Sequence, residues 1–254
     1  QEVAGSLKDL DKLRFSENNL FALRHGESTH NLSGLIASGP EQGKNISKLT
    51  PKGKEQIKKS AEKLMEQLNG KKLDFIFTSP YFRTKETAKI VSKFAGGKII
   101  TDNRLAELNC GLFNWRKVED HRNFFANGME RFTKPVPGGE NLNEVKNRIL
   151  EAVLDIDSKY SGKNILIVSH GDPLWVLKGT MLGLSNEEIL KSDYIHNNGE
   201  IRESELHNWP YNGSGELDLH RPHIDRIYLK CKKCGGKMAR VKELVDGWFD
   251  SGAM

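Results

Sequence analysis

The chain has 254 residues, of which 37% are hydrophobic and 29% charged, with Lys+Arg of 39 against Asp+Glu of 34 and a formal net charge of +5. That is the composition of a soluble globular chain with a polar surface, and no apolar run approaches the roughly 18–20 residues that a membrane span needs. The first six residues carry neither a basic leader nor an apolar signal core, and the three cysteines are too few for a disulfide framework, which together predict a cytoplasmic protein.

In chain order, residues 1–17 form a short lead in which Ser6 can cap a brief helix through Leu7, Leu10 and Leu13. The apolar run 20–23 stops at Arg24-His25-Gly26 and predicts a buried strand feeding a loop. Thr50-Pro51 opens a helix, with Thr50 as cap and proline in the first turn, expected to reach about residue 68 and end at Gly70. Residues 74–78 predict a second strand ending at Ser79-Pro80, 84–94 a helix and 98–101 a third strand. Residues 112–139 are irregular and aromatic-rich and are read as a cap region. A long amphipathic helix is expected over 141–160, a fourth strand over 164–169 and a further helix over 173–182. From 208 the texture changes, opening on the turn-rich Asn208-Trp209-Pro210-Tyr211-Asn212-Gly213. Strands alternating with helices predict an α/β fold: a three-layer α/β/α sandwich around a mostly parallel sheet, with ligands beyond the carboxyl ends of its strands.

Three loops fall at those ends. Arg24-His25-Gly26 follows strand one, Ser79 to Arg83 follows strand two, and His170-Gly171-Asp172 follows strand four. A guanidinium offers a planar fork that matches phosphate oxygens. Two arginines and two histidines brought to one point make a poor core and a good pocket for a dianion, since burying that charge without an anion is costly.

These residues carry a family resemblance. Leu23-Arg24-His25-Gly26-Glu27-Ser28-Thr29-His30-Asn31 resembles the signature of the histidine phosphatase superfamily, the phosphoglycerate mutase-like clan. Leu49-Thr50-Pro51-Lys52-Gly53, Ser79-Pro80-Tyr81-Phe82-Arg83, Arg104-Leu105-Ala106-Glu107, Pro137-Gly138-Gly139-Glu140 and Val168-Ser169-His170-Gly171 resemble its further markers, in family order, over about residues 18–207. The resemblance implies that neutral His25 attacks phosphorus and becomes a phosphohistidine. It implies that Arg24, Arg83 and a protonated His170 stabilise the transferring oxygens, and that Gly26, Ser28, Asn31 and Gly171 cradle the phosphate. It assigns Glu107 to proton transfer with the leaving group, and it requires no metal or other cofactor.

His30 stands where the family often has an aromatic residue. Glu140 is expected to act as a helix N-terminal charge, His121 and Arg122 to sit on a solvated face, and Trp115, Phe124 and Phe125 to form local core. Mutases of the family tend to have a basic-aromatic stretch after the proton donor. Leu108-Asn109-Cys110-Gly111-Leu112-Phe113 lacks it, which points to a phosphatase acting on a phosphorylated small molecule or other phosphate ester, with a mutase as the alternative. A second alternative is a silent binding or spacer module.

The flanks resemble another family. Glu2 to Leu10, Glu216 to Asp225, Cys231 to Val241 and Trp248 to Met254 are similar to segments of isoleucyl-tRNA synthetases. The resemblance implies a synthetase fragment, 1–17 and 208–254, carrying the phosphatase-like region as an insertion. Its nucleotide-binding signatures are absent from these residues, so the fragment is not expected to aminoacylate, and tRNA is a partner only through the parent enzyme. Cys231-Lys232-Lys233-Cys234 looks like half of a zinc ribbon, which holds zinc only with a second cysteine pair.

Overall fold

The computed structural model describes residues 3–4, 16, 18–39, 47–192, 197–203 and 227–241. The helix expected after Ser6, and most of the region beyond 203, lie outside the described residues. In chain order the elements are β1 (Val3–Ala4), β2 (Asn19–Arg24), α1 (Thr29–Ser33), α2 (Pro51–Gln67), β3 (Leu73–Thr78), α3 (Phe82–Ala95), β4 (Gly96–Thr101), α4 (Val118–Asn123), α5 (Glu130–Thr133) and α6 (Leu142–Lys159). They continue with β5 (Asn164–Ser169), α7 (Gly171–Met181), α8 (Asn186–Lys191), β6 (Ile201–Glu203), β7 (Tyr228–Lys230) and β8 (Lys237–Ala239).

The central sheet has the order β4-β3-β5-β2-β6. Its first four strands are parallel, and β6 adds an antiparallel edge along β2. Period-two alternation divides the side chains between two helix layers. Phe21 and Leu23 of β2, with Leu166 and Val168 of β5, pack on Ile57, Ala61 and Leu64 of α2 and on Ala88 and Val91 of α3. Leu20 and Ala22, with Ile165 and Ile167, face the opposite way onto Val145, Ile149 and Val153 of α6 and Val176 of α7. A strand buried on both faces reads as a continuous apolar run, which is why β2 and β5 were plain in the sequence.

The helix starts follow capping chemistry. The Thr50 hydroxyl accepts the Gly53 N–H at 2.9 Å, with Pro51 at the first helical position. Asn141 and Glu144 cap α6 reciprocally, with bonds of 2.7 and 2.9 Å. The expected helix at 84–94 starts two residues earlier, so Arg83 lies in its first turn, and the one expected at 173–182 starts at Gly171.

A second, small sheet has the order β1-β7-β8. Val3 and Ala4 pair in parallel with Tyr228 and Leu229, and β7 turns back onto β8 through Cys231 to Gly236. Ile227, 4% exposed, and Leu229 lean on the α6–α7 side of the core. No described helix is long and apolar enough to cross a membrane.

Candidate functional site

Sheet register brings the three expected loops together. Leu23 pairs with Val168, and Val168 pairs with Thr78. Each of these strands therefore leaves the sheet at the same level, one or two residues before His25, Ser79 and His170.

His25 is 1% exposed. Its Nδ1 lies 2.8 Å from the Gly26 carbonyl, and Arg83 Nε donates to its Nε2 at 3.1 Å. The two contacts agree on one tautomer, with the proton on Nδ1 and the lone pair on Nε2. Burial, then the charges of Arg83, His30 and Arg24, hold its pKa well below the usual histidine value, so the ring is neutral. Arg83 is itself 1% exposed, donates from Nη1 to the Ala37 carbonyl at 3.2 Å and packs on Tyr81 with its Cζ 4.9 Å from the ring centre. Burial pulls its pKa down to about 10.

His170 is fully buried, with its ring centre 5.2 Å from that of His25 and its Nε2 2.7 Å from the Ser79 hydroxyl. The sequence reading has this ring protonated. Burial, then Arg83, His25, His30 and Arg24, instead hold its pKa well below the ordinary value, so it is neutral here. Its Nδ1 is 3.9 Å from Glu107 Oε2. Glu107 keeps 18% of its side chain exposed toward a cavity of about 830 Å³, also lined by Arg24, Asn31, His121, Arg131 and Asp172. Its pKa rises to about 7, chiefly through burial and then through the charge of Asp172, against the opposing pull of Arg83, the Leu108 N–H and Arg24.

The residues expected to cradle phosphate divide. Asn31 and Arg24 line the cavity. Gly26 does not offer its backbone to it. Its N–H points to the Thr87 hydroxyl at 3.4 Å, and a Cβ added there would lie 2.5 Å from the Gly53 carbonyl oxygen. A Cβ on Gly53 would in turn lie 2.0 Å from the Glu27 carbonyl oxygen. The two glycines let the His25 loop and the start of α2 touch backbone to backbone, which gives the Thr50-Pro51-Lys52-Gly53 marker a physical reason. The Ser28 hydroxyl is spent within its own loop, 2.8 Å from His30 Nδ1 and 2.9 Å from Asn31 Oδ1. Gly171 is the first residue of α7, at the helix end whose amides favour an anion.

Other expectations change. His121 is not on a solvated face. It is 5% exposed, edge-on to Phe113 and Phe125 at 5.6 and 5.2 Å. Trp115 is not core: it is 39% exposed, and its φ of 63° belongs to a turn. Phe124 and Phe125 are half-buried on the α6–α7 core. Glu140 pairs with Arg148 at 2.8 Å rather than serving only as a helix N-terminal charge. Four residues to which the sequence assigns no role also stand at the site: His30, whose ring centre is 5.8 Å from that of His25 and whose pKa burial and the two arginines pull down to about 3; Ser79; Asp172; and Asn198, which donates to the His25 carbonyl at 3.3 Å. Ser79 was within reach, since it sits in a marker at a strand end. Asn198 was not, because its segment has no periodicity.

Cys231 and Cys234 stand on the β7–β8 turn, where the Cys231 N–H donates to the Gly236 carbonyl at 2.8 Å and the Gly235 N–H to the Cys231 carbonyl at 2.9 Å. Among the described residues no group of three or more His, Cys, Asp or Glu is arranged to hold a metal ion.

Residues 20–209 match the model of the histidine phosphatase superfamily (branch 1). A protein of Hydrogenobacter thermophilus named "Putative phosphoserine phosphatase 2" is 30% identical over 175 residues, 67% of this chain and 81% of its own length. One of Yersinia enterocolitica named "Probable phosphoglycerate mutase GpmB" is 35% identical over 172 residues, 65% of this chain and 75% of its own. Among solved structures, Bacillus stearothermophilus YhfR superposes with a TM-score of 0.61 at 26% identity, over 79% of this chain and 98% of that one. The chain therefore belongs to the histidine phosphatase superfamily, branch 1.

Proposed function

We propose that this chain is a metal-independent phosphomonoester phosphatase that works through a phosphohistidine at His25. The observation that carries the reading is the contact of 3.1 Å from Arg83 Nε to the lone-pair nitrogen of His25, in a buried set that also holds His170, with the half-buried Glu107 beside it. His25 Nε2 attacks phosphorus, the P–O ester bond breaks, and the leaving oxygen takes the Glu107 proton. Water then attacks phosphorus and returns a proton to Glu107, the P–N bond breaks, and inorganic phosphate leaves. Arg83, Arg24 and the first turn of α7 counter the charge on the transferring oxygens. A bound dianion would raise the proton affinity of His170, so the protonated form belongs to the loaded enzyme. Incubation with a ³²P-labelled ester, followed by quenching, is expected to give acid-labile, base-stable label on His25. H25A should lose the label and about 10⁴-fold or more of the rate; hydrolysis at equal rates by both proteins would sink the reading.

Relatives carry both phosphatase and mutase names. The absence of a basic stretch in residues 108–115 favours hydrolysis of a phosphorylated small molecule. Isomerisation of a phosphoglycerate without net phosphate release would favour the mutase.

The region around 18–207 is read as an insertion in a cytoplasmic isoleucyl-tRNA synthetase, which would be the route to tRNA. The pairing of β1 with β7 supports this, because it joins the two flanks in one sheet on either side of the inserted region in sequence. Cys231 and Cys234 would supply two zinc thiolates there if the host brings a second pair. The reading frame on both sides of these residues should encode the His-x-Gly-His and Lys-Met-Ser-Lys-Ser types of signature. Their absence removes this reading.

A further inference from the structure

The group given the proton-transfer role stands on a segment with almost no regular structure. Between β4 and α4 there are only two single 3₁₀ turns, Asn103–Leu105 and Gly111–Phe113, and Glu107 lies between them. A group that must meet one leaving oxygen tolerates little drift, since about 1 Å of misplacement can cost 10²-fold. Something outside the segment has to hold its backbone.

Arg148 does so from the middle of α6. Its five N–H groups are all engaged. Nε donates to Glu140 Oε1 at 2.8 Å and Nη2 to Glu140 Oε2 at 2.9 Å. Nη1 donates to the carbonyls of Arg104 at 2.7 Å and Ala106 at 2.8 Å, and Nη2 reaches the Glu107 carbonyl at 3.1 Å. Glu140 completes the clamp: its Oε2 accepts the Asn109 N–H at 3.0 Å, and its own N–H donates to the Asn109 carbonyl at 2.8 Å. The Leu105 carbonyl, between two clamped neighbours, accepts the Ser169 hydroxyl at 2.7 Å. Four successive carbonyls are thus tied to the sheet and to α6. Glu107 Oε1 in turn takes the Leu108 N–H at 2.9 Å, so the carboxyl follows that backbone. The glycines of the Pro137-Gly138-Gly139-Glu140 marker serve the same contact, because a Cβ on Gly139 would lie 2.4 Å from the Asn109 carbonyl oxygen.

We propose that Arg148 and Glu140 are positioning residues for the proton donor: the guanidinium, oriented by Glu140, fixes the backbone of residues 104–109 and thereby the reach of the Glu107 carboxyl. This rests on the phosphatase reading above. A positioning role is separable from a merely structural one in the first phosphoryl transfer, where only an ester whose leaving group needs the Glu107 proton should suffer.

The experiment compares two esters, an alkyl phosphate whose leaving alkoxide must be protonated and 2,4-dinitrophenyl phosphate, whose leaving group needs no proton. R148K and E140Q, which keep part of the donor set, are measured beside E107Q, with thermal melting and circular dichroism to show that each is folded. R148K is expected to lose about 30- to 100-fold in kcat/KM on the alkyl phosphate and less than about fivefold in kcat/KM on the dinitrophenyl ester; kcat/KM is the quantity compared because it reports the first phosphoryl transfer, whereas hydrolysis of the phosphohistidine is common to both esters. E140Q should lose less, in the same ratio. In a folded variant, equal loss of kcat/KM on both esters, or no loss on either, overturns the proposal. A wild-type enzyme inert toward both esters and unlabelled at His25 overturns the phosphatase reading itself, and this inference with it.

Discussion

The two ends of the site are built differently. At the phosphate end, His25, Arg83 and His170 are 1%, 1% and 0% exposed and stand one to five residues beyond parallel strands whose pairing fixes their level. At the leaving-group end, Glu107, Asp172 and Arg131 keep 18%, 19% and 22% of their side chains exposed. Two of those three come from irregular turns and short helices, and their placement depends on side-chain tethers such as Arg148 and the Arg131–Asp172 pair of 3.0 Å. A position set by sheet register needs the whole core to move before it shifts. A position set by a tether is lost with a single side chain, and such a site can be retuned without disturbing the fold.

The first way to break the contrast is at the rigid end. R83M removes the donor to His25 Nε2 while leaving the buried aliphatic volume. It is expected to cost about 10³-fold or more in kcat, as loss of a transition-state arginine does elsewhere. The variant should nonetheless melt at or above the wild-type temperature, since a buried charge without a matching partner is expensive and an apolar replacement relieves that cost. Inorganic phosphate should stabilise the wild type by about 2.7 kcal/mol at 100 times its Kd and should stabilise R83M less. Calorimetry with and without phosphate measures both. A variant that melts lower yet keeps its activity would assign Arg83 to the core instead.

The same contrast explains what the sequence disclosed. Strands buried on both faces, such as β2 and β5, announce themselves as apolar runs, and capped helices such as α2 and α6 as hydroxyl or amide caps before an apolar stripe. The loops after those strands then carry the phosphate end with them. β6, three residues at a sheet edge, and Asn198 beside it have no such pattern and were not foreseen. Nor was α8, although Ser185 and Glu188 form a capping box with the familiar spacing. At the other end, burial of His121 depends on which aromatic rings of the cap turn inward, a property of packing rather than periodicity. The roles of Glu140 and Gly26 depend on partners distant along the chain, the Asn109 backbone and Gly53, and no local pattern encodes those.

A smaller effect tests the tethered end. Arg131 ties the cap to the first turn of α7 through Asp172 and lies 5.7 Å from the Trp175 ring centre. R131M breaks that link across the mouth of the cavity. The expected result is a rise in KM of about 5- to 10-fold, on the order of 1–1.4 kcal/mol, with kcat within threefold, because no group at the phosphate end touches Arg131. Steady-state kinetics on one ester decides it, and an equal fall in kcat would mean that the two ends are mechanically one.

The smallest change is electrostatic and has a definite sign. Burial raises the Glu107 pKa to about 7, and the neighbouring Asp172 charge adds to the rise. The first chemical step uses the protonated carboxyl, so kcat/KM should fall as pH increases through that value. His25 adds no competing limb there, since its pKa lies well below the ordinary histidine range. D172N deletes a like charge and leaves Arg131 without its partner, and both changes favour the Glu107 carboxylate. The alkaline limb must therefore move to lower pH, with the rate on the acid side nearly unchanged. A limb that stays in place would mean that burial alone sets the Glu107 proton affinity. A limb that moves upward would contradict the assignment of Glu107 as the titrating acid, because removing a negative charge cannot make a neighbouring carboxyl hold its proton more tightly.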